Sequence, residues 1–400
     1  MACFCMIDVV VAGERFPKQP VLDCVDRRRS GISLPSLLDL PNILLTQSGR
    51  SALGLALKLL GLRSGQHVLV PAYHCPTMIA PVEMLGGVPT FYPIDSKGAP
   101  DLNRTRVLPG THSMLVAHLF GLPLNLGTVA EFCRSHGLAL VEDCAHCFTG
   151  IAGAVPVGTT GDYAIGSLPK FFPVIEGGIL ASSRHAIGNE LSLPRPWARE
   201  VRAIWDVLDV GARAGRLGSL GSVVRTVSAL RGRHAHDSLE EETEPSRESI
   251  RLLSMRDRML DPVGLRRVEA SIVRRTDLVS SGQRRRDNFR CMAQEFGTSA
   301  GCAPLVTDCG DLSAPYVVPL LLAGDVDATY RRMRTAGLPV FRWDRLWPGT
   351  PSPAGEVATT WSRALVQVAC HQSLDLDDAL AVARLARNCM LANPGSKQTA

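Results

Sequence analysis

The sequence predicts an α/β fold: a mostly parallel sheet flanked by helices, followed by a smaller C-terminal α+β domain. Through residues 48–181, apolar runs of strand length alternate with longer amphipathic runs, and small-residue turns mark each change of period. At 400 residues and 46% hydrophobic composition, the chain can fill more than one core. Beyond that stretch the alternation gives way to an arginine-rich, mostly helical region, and strand patterns return near Tyr316.

The elements follow in order. Ser48-Gly49-Arg50-Ser51 is a small-residue turn entering the periodic stretch Ala52, Leu53, Leu55, Ala56, Leu59, Leu60, which stops at Gly61. A helix start of this kind presents backbone amides to an anion. Residues 67–71 read as a buried strand, 77–85 as a helix and 88–92 as a strand; 113–118 is a strand, 126–136 a helix, and 138–141 a strand ending at the acidic pair Glu142-Asp143. This β-α-β punctuation implies parallel pairing, with ligands collecting at the carboxyl ends of the strands. Residues 203–230 carry apolar side chains at broken helical spacing; packing on the fold or on a subunit is the commoner use of such a stretch, and a membrane surface the rarer. Residues 234–248 are polar and acidic, as in a mobile loop. A helical stretch at 263–296 includes Arg284-Arg285-Arg286, most simply a solvated face. A strand at 316–322, a helix at 326–336, a strand at 339–342 and a helix at 377–391 follow. The expected division is an N-terminal segment (1–40), a large cofactor-binding α/β domain (41–195), a helical insertion with a mobile loop (196–262), and a helix with a small α+β domain (263–400).

Composition narrows the function. The net charge of +5 is small and the arginines are spread along the chain, so nucleic acid is not implied. No apolar stretch reaches the roughly 20 residues of a membrane span, and the N-terminus lacks a basic n-region, so a soluble, cytoplasmic protein is expected. The twelve cysteines are mostly scattered singly, as reduced and buried thiols are. Cys3 with Cys5, and Cys144 with Cys147, lie closer, but no second ligand pair stands at zinc-site spacing, and no metal is expected.

The chemistry concentrates in Val141-Glu142-Asp143-Cys144-Ala145-His146, Gly161-Asp162, Ser167-Leu168-Pro169-Lys170 and Glu176-Gly177-Gly178. An acidic residue at a strand end, with a lysine on a glycine-punctuated loop beyond it, can grip pyridoxal phosphate (PLP) from two sides. Of the 43 basic residues only Lys18, Lys58, Lys97, Lys170 and Lys397 are lysines, and a Schiff base needs a primary amine. Pro169, Phe171, Phe172 and Pro173 surround Lys170 with apolar or rigid neighbours, which favours a desolvated amine of lowered pKa. Asp143 suits a protonated pyridine nitrogen, and equally a helix N-cap after a strand. His146 could steer the cofactor or hold Asp143. Gly49, Arg50, Ser51 and Ser167 are the phosphate candidates.

Together these motifs resemble the PLP-dependent sugar aminotransferases named for DegT, DnrJ and StrS, of fold type I, whose fold is similar to that of aspartate aminotransferase. Val116-Ala117-His118-Leu119-Phe120-Gly121 and His371-Gln372-Ser373-Leu374 belong to the same match. The resemblance implies that Lys170 forms the Schiff base, Asp143 pairs with the pyridinium, His146 contacts the ring, and Ser51 and Ser167 hold the phosphate. It also implies PLP as cofactor, a homodimer with composite active sites, and transfer of an amino group from a donor such as glutamate to a nucleotide-linked keto sugar in polysaccharide or secondary-metabolite biosynthesis. Dehydrating relatives carry histidine at the lysine position, so Lys170 argues for amination. Two departures stand out. Cys75, in Pro71-Ala72-Tyr73-His74-Cys75-Pro76-Thr77, replaces the aromatic residue expected over the ring, which leaves Tyr73 or His74 to stack there. The asparagine that reaches a partner's phosphate is not apparent near residues 254–261. These departures support the alternative of a degenerate regulatory or scaffold protein, and a stretch at 194–250 longer than the family's, where its members recognise substrate, supports that of another carbonyl substrate.

Overall fold

The computed structural model describes residues 16–23, 31–188, 197–230, 264–353 and 355–391. Its central sheet is built from β1 (Asn42–Thr46), β2 (His67–Pro71), β3 (Val88–Tyr92), β4 (Thr111–Ala117), β5 (Ala139–Asp143), β6 (Tyr163–Ser167) and β7 (Gly178–Ser182). The order across it is β1-β7-β6-β5-β4-β2-β3. The pairs β3–β2, β2–β4, β4–β5 and β5–β6 are parallel, whereas β7 runs against both β6 and β1. The sheet is therefore mostly parallel, with one reversed strand near its edge.

Strands buried on both faces are rich in Val, Leu and Ile, and β2, β4 and β5 follow that rule with Val68, Leu69, Val70, Leu115, Val116, Leu140 and Val141 all buried. Helices α1 (Gly49–Leu59), α2 (Pro76–Met84) and α3 (Gly127–Ser135) pack against this sheet. Pro76 sits in the first turn of α2, where a missing amide N–H removes no helical hydrogen bond.

Residues 203–230 form two helices, α4 (Trp197–Arg213) and α5 (Gly218–Leu230), with Gly215 between them and Gly218 at the start of α5 both at positive φ. The expected single helix at 263–296 is also two, α6 (Arg267–Arg275) and α7 (Leu278–Gly297). Asp277 causes the break, since its carboxylate accepts the Val279 and Ser280 amides and starts a new helix. A second sheet, β8 (Cys302–Pro304), β9 (Val317–Leu322), β10 (Val340–Phe341) and β11 (Leu365–Ala369), has the order β8-β9-β11-β10 and is antiparallel throughout. Helices α8 (Val326–Thr335), α9 (Val357–Ala364) and α10 (Leu376–Leu391) accompany it. Its own core joins Phe289, Met292 and Phe296 of α7 to Val318, Leu320, Val366 and Val368.

The reading of Arg284-Arg285-Arg286 as a solvated face does not hold: Arg285 is 1% exposed and Arg286 is fully buried. They share the face of α7 that carries Phe289, Met292 and Phe296, and their guanidinium groups donate to backbone carbonyls and side-chain amide oxygens, the buried Arg286 Nε alone making no hydrogen bond among the described residues. The expected loop at 234–248, the stretch 254–261 and the Cys3–Cys5 pair lie outside the described residues. Among the described residues, no helix is long and apolar enough to cross a membrane.

Candidate active site

A cavity of about 560 Å³ opens at the carboxyl ends of β4, β5 and β6 and at the start of α1. Seven of the expected site residues line it: Gly49, Arg50, Ser51, Asp143, His146, Ser167 and Lys170. Cys75, Glu176, Gly177 and Trp343 line it as well.

Local chemistry explains why the chain turns here. Ser48 caps α1, its Oγ accepting the Ser51 amide at 3.2 Å and lying 3.0 Å from the Ser51 hydroxyl. The chain passes this cap so closely that a Cβ on Gly178 would stand 2.2 Å from the Ser48 carbonyl carbon. Gly177 holds φ +140, a conformation that suits glycine. The Gly177-Gly178 pair thus lets β7 begin against the first turn of α1. Replacing Gly178 with alanine is expected to destabilise the protein by about 1–3 kcal/mol through overpacking, measured as a lower urea midpoint.

Lys170 ends a 3-10 turn, Leu168–Lys170, that follows β6. Burial pushes its ammonium pKa down, against the opposing pull of Cys75 and Asp143, so a larger share of the amine is neutral and nucleophilic. The Nζ lies 5.3 Å from the centroid of the Tyr316 ring. Asp143 closes β5, and its Oδ1 accepts the Ala145 amide at 2.8 Å. Burial raises its pKa, countered by that amide, Lys170 and His118, so a cation brought to it would strengthen its charged form. Burial holds the His146 pKa well below its usual value, with the Lys170 charge adding to the effect. The His146 Nδ1 accepts the Phe120 amide at 3.3 Å, which leaves Nε2 as the protonated atom of a neutral ring. Phe120 itself adopts φ 62, rare for a non-glycine residue, and its carbonyl accepts the Tyr316 amide. This strained turn fixes both rings that flank the site.

His118, which lines the cavity, converges with Glu142 and Cys144, their ligand atoms lying within 4.8 Å of one another. The Glu142 carboxylate is already engaged by His118 and by the Gly158, Thr160 and Gly161 amides, which gives it a structural role.

His74, expected at the cofactor, is not among the cavity residues. It is fully buried, stacked 5.2 Å from Phe91, with Nδ1 on the Pro71 carbonyl and Nε2 accepting the Trp347 amide. Burial pushes its pKa down to about 4, so it stays neutral. Tyr73 is buried among Trp343, Trp361 and Phe120 and does not line the cavity either. The aromatic wall is Trp343, 5.0 Å from His146. No sequence signal marked it, since it follows a strand of the second sheet and meets the site only through the fold.

The donor set fits PLP. The α1 start offers backbone amides, hydroxyls and the Arg50 guanidinium to a phosphate, Asp143 offers a buried carboxylate to a ring nitrogen, and Lys170 offers the amine.

Residues 36–193 match the model of the DegT/DnrJ/EryC1/StrS aminotransferase family. The chain is 28% identical over 146 residues to GDP-perosamine synthase of Vibrio cholerae, covering 35% of this chain and 40% of that protein. It is 31% identical over 117 residues to L-glutamine:2-deoxy-scyllo-inosose aminotransferase of Streptomyces kanamyceticus, covering 28% of this chain and 27% of that protein. The matches thus span less than half the length of these curated relatives. The crystal structure of the aminotransferase TlmJ from Streptoalloteichus hindustanus superposes with a TM-score of 0.58 at 20% identity, covering 87% of this chain and 85% of that one, a likeness of fold. The cofactor of this family is PLP. The sequence likeness to the DegT/DnrJ/EryC1/StrS aminotransferase family thus rests on residues 36–193, less than half of the chain, while the likeness of fold extends over most of it.

Proposed function

We propose that the protein is a PLP-dependent aminotransferase that moves an amino group from an amino-acid donor, glutamate first among those to test, onto a nucleotide-linked keto sugar. The observation that carries this reading is the convergence of the Lys170 amine, the Asp143 carboxylate and the start of α1 on one cavity. Bound there, PLP supplies an electron sink for the carbon that gains or loses nitrogen. Gly49, Arg50, Ser51 and Ser167 would hold its phosphate, and the Asp143 carboxylate would stabilise a protonated ring nitrogen. Neutral His146 presents its Nε2–H without adding charge. The Lys170 amine would take up the proton lost by the donor's carbon at Nζ and deliver it on the cofactor side, the reverse order serving the acceptor, and its lowered pKa suits both roles. The nucleotide sugar is supported by a relative named for a GDP-linked product. A homodimer acting in the cytoplasm is part of the same proposal.

The relative named for a scyllo-inosose favours a second reading, amination of a cyclic ketone that carries no nucleotide. The deciding experiment loads the protein with PLP, follows the visible absorption band on adding glutamate or glutamine, and then offers GDP-, UDP- and dTDP-linked keto sugars against free cyclitol ketones. A band that neither donor changes would overturn both readings. Asp143→Asn is expected to slow the donor half-reaction by about 10²–10³-fold, because a neutral amide no longer stabilises a protonated ring nitrogen; stopped-flow absorption measures it.

A further inference from the structure

Helix α7 carries a guanidinium into the seam between the two sheets. The Arg285 Nε donates to Gln372 Oε1 at 2.8 Å, one terminal nitrogen donates to the Pro315 carbonyl at 3.1 Å, and the other donates to the Lys170 carbonyl at 2.7 Å. The guanidinium carbon lies 4.5 Å from the Phe171 ring centroid. Gln372 completes the arrangement, its Nε2 donating to the Phe171 carbonyl at 2.7 Å. Two successive carbonyls, those of Lys170 and Phe171, are therefore held by two side chains that also hold each other.

The charge of Arg285 is met by carbonyl oxygens, an amide oxygen and a ring face rather than by a carboxylate. Burying a guanidinium this way is unfavourable compared with an apolar side chain of similar volume, so packing alone does not account for it. What the fork gains is geometry, because its rigid plane fixes three acceptors at once. One of them, Pro315, precedes Tyr316, whose ring lies beneath the Lys170 amine. The same group thus sets both the backbone from which the amine projects and the floor under it.

We propose that Arg285 and Gln372 form a positioning clamp for Lys170, fixing the direction in which its amine enters the cavity. The purpose of the clamp rests on the aminotransferase reading; its geometry does not. The titratable groups facing the amine are Asp143, Cys75, His146 and Tyr316. The clamp keeps the amine among them and away from water, and burial is the largest influence lowering its pKa.

The test uses cofactor-free full-length protein. Lysines are acetylated with trace acetic anhydride across a pH series, and the midpoint for Lys170 is read by mass spectrometry, with exposed Lys58 and Lys97 as internal standards. In Arg285→Lys, which keeps the charge and loses the fork, the Lys170 midpoint is expected to rise by about one pH unit as water reaches the amine, a tenfold loss of neutral amine at a given pH. Gln372→Leu removes the second arm, should the first variant fail to fold. In the PLP-loaded protein the same variants are expected to lower kcat by about 10²-fold with KM unchanged. A folded variant whose Lys170 midpoint stays at the wild-type value overturns the clamp. If wild type shows no amino transfer and the midpoint still moves, the clamp stands and the functional reading falls.

Discussion

Lys170→Ala is expected to abolish amino transfer, with a loss of at least about 10⁴-fold, because one side chain supplies both the covalent hold and the proton carrier. The variant should still fold, since the backbone contacts made through the Lys170 carbonyl do not involve its amine. Borohydride reduction of the PLP-loaded wild type followed by peptide mapping should place the reduced adduct on Lys170, and the variant should give none. An adduct on Lys18, Lys58, Lys97 or Lys397 would sink the assignment. Lys58 and Lys97 are exposed and do not line the cavity.

The second large effect is on stability. Glu142 accepts the Thr160 and Gly161 amides at 2.6 Å each, the Gly158 amide at 2.8 Å and a contact from His118 Nε2 at 3.1 Å, with the side chain 1% exposed. Glu142→Ala strips one partner from each of these buried groups and is expected to destabilise the protein by about 3–5 kcal/mol. Burial alone would raise the Glu142 pKa, but His118 and the Gly161 and Gly158 amides outweigh it and hold the carboxyl below its ordinary value. The unfolded chain therefore binds this proton more readily than the folded one. Its stabilising contribution is full above the ordinary glutamate range and is lost as pH falls through that range toward the folded value. Urea midpoints of wild type and Glu142→Ala should lie far apart at neutral pH and draw together in acid; a gap independent of pH would contradict the charge-based account.

Much of the site was legible because its signals are local. Lysine is scarce in this chain, so a lysine among Pro169, Phe171 and Phe172 stands out, and the strand that ends in Asp143 announces itself by its apolar run. The helix start at Ser48 needs only its own turn and cap. What escaped depends on partners far along the chain. His74 looked available beside a helix start, but the Trp347 amide claims its Nε2 across 273 positions. Trp343 joins the cavity only because the second sheet closes over the first. Arg285 sits in a triple-arginine run that reads as solvent-facing, and its acceptors at Lys170, Pro315 and Gln372 are distant in sequence. The strands β1, β6 and β7 carried too few distinctive residues to be marked, although they complete the sheet.

The reversed strand β7 also determines when this site can come into being. It pairs Gly178 with Thr46 and Ser182 with Asn42, so the phosphate end and the amine end of the site are stitched together by segments far apart in the chain. Closing so long a loop is entropically demanding and is rewarded only by cooperative pairing across the whole sheet. Competence to bind is thus a property of the finished sheet, and a nascent chain has no half-built pocket to offer before its Gly177-Gly178 pair has emerged.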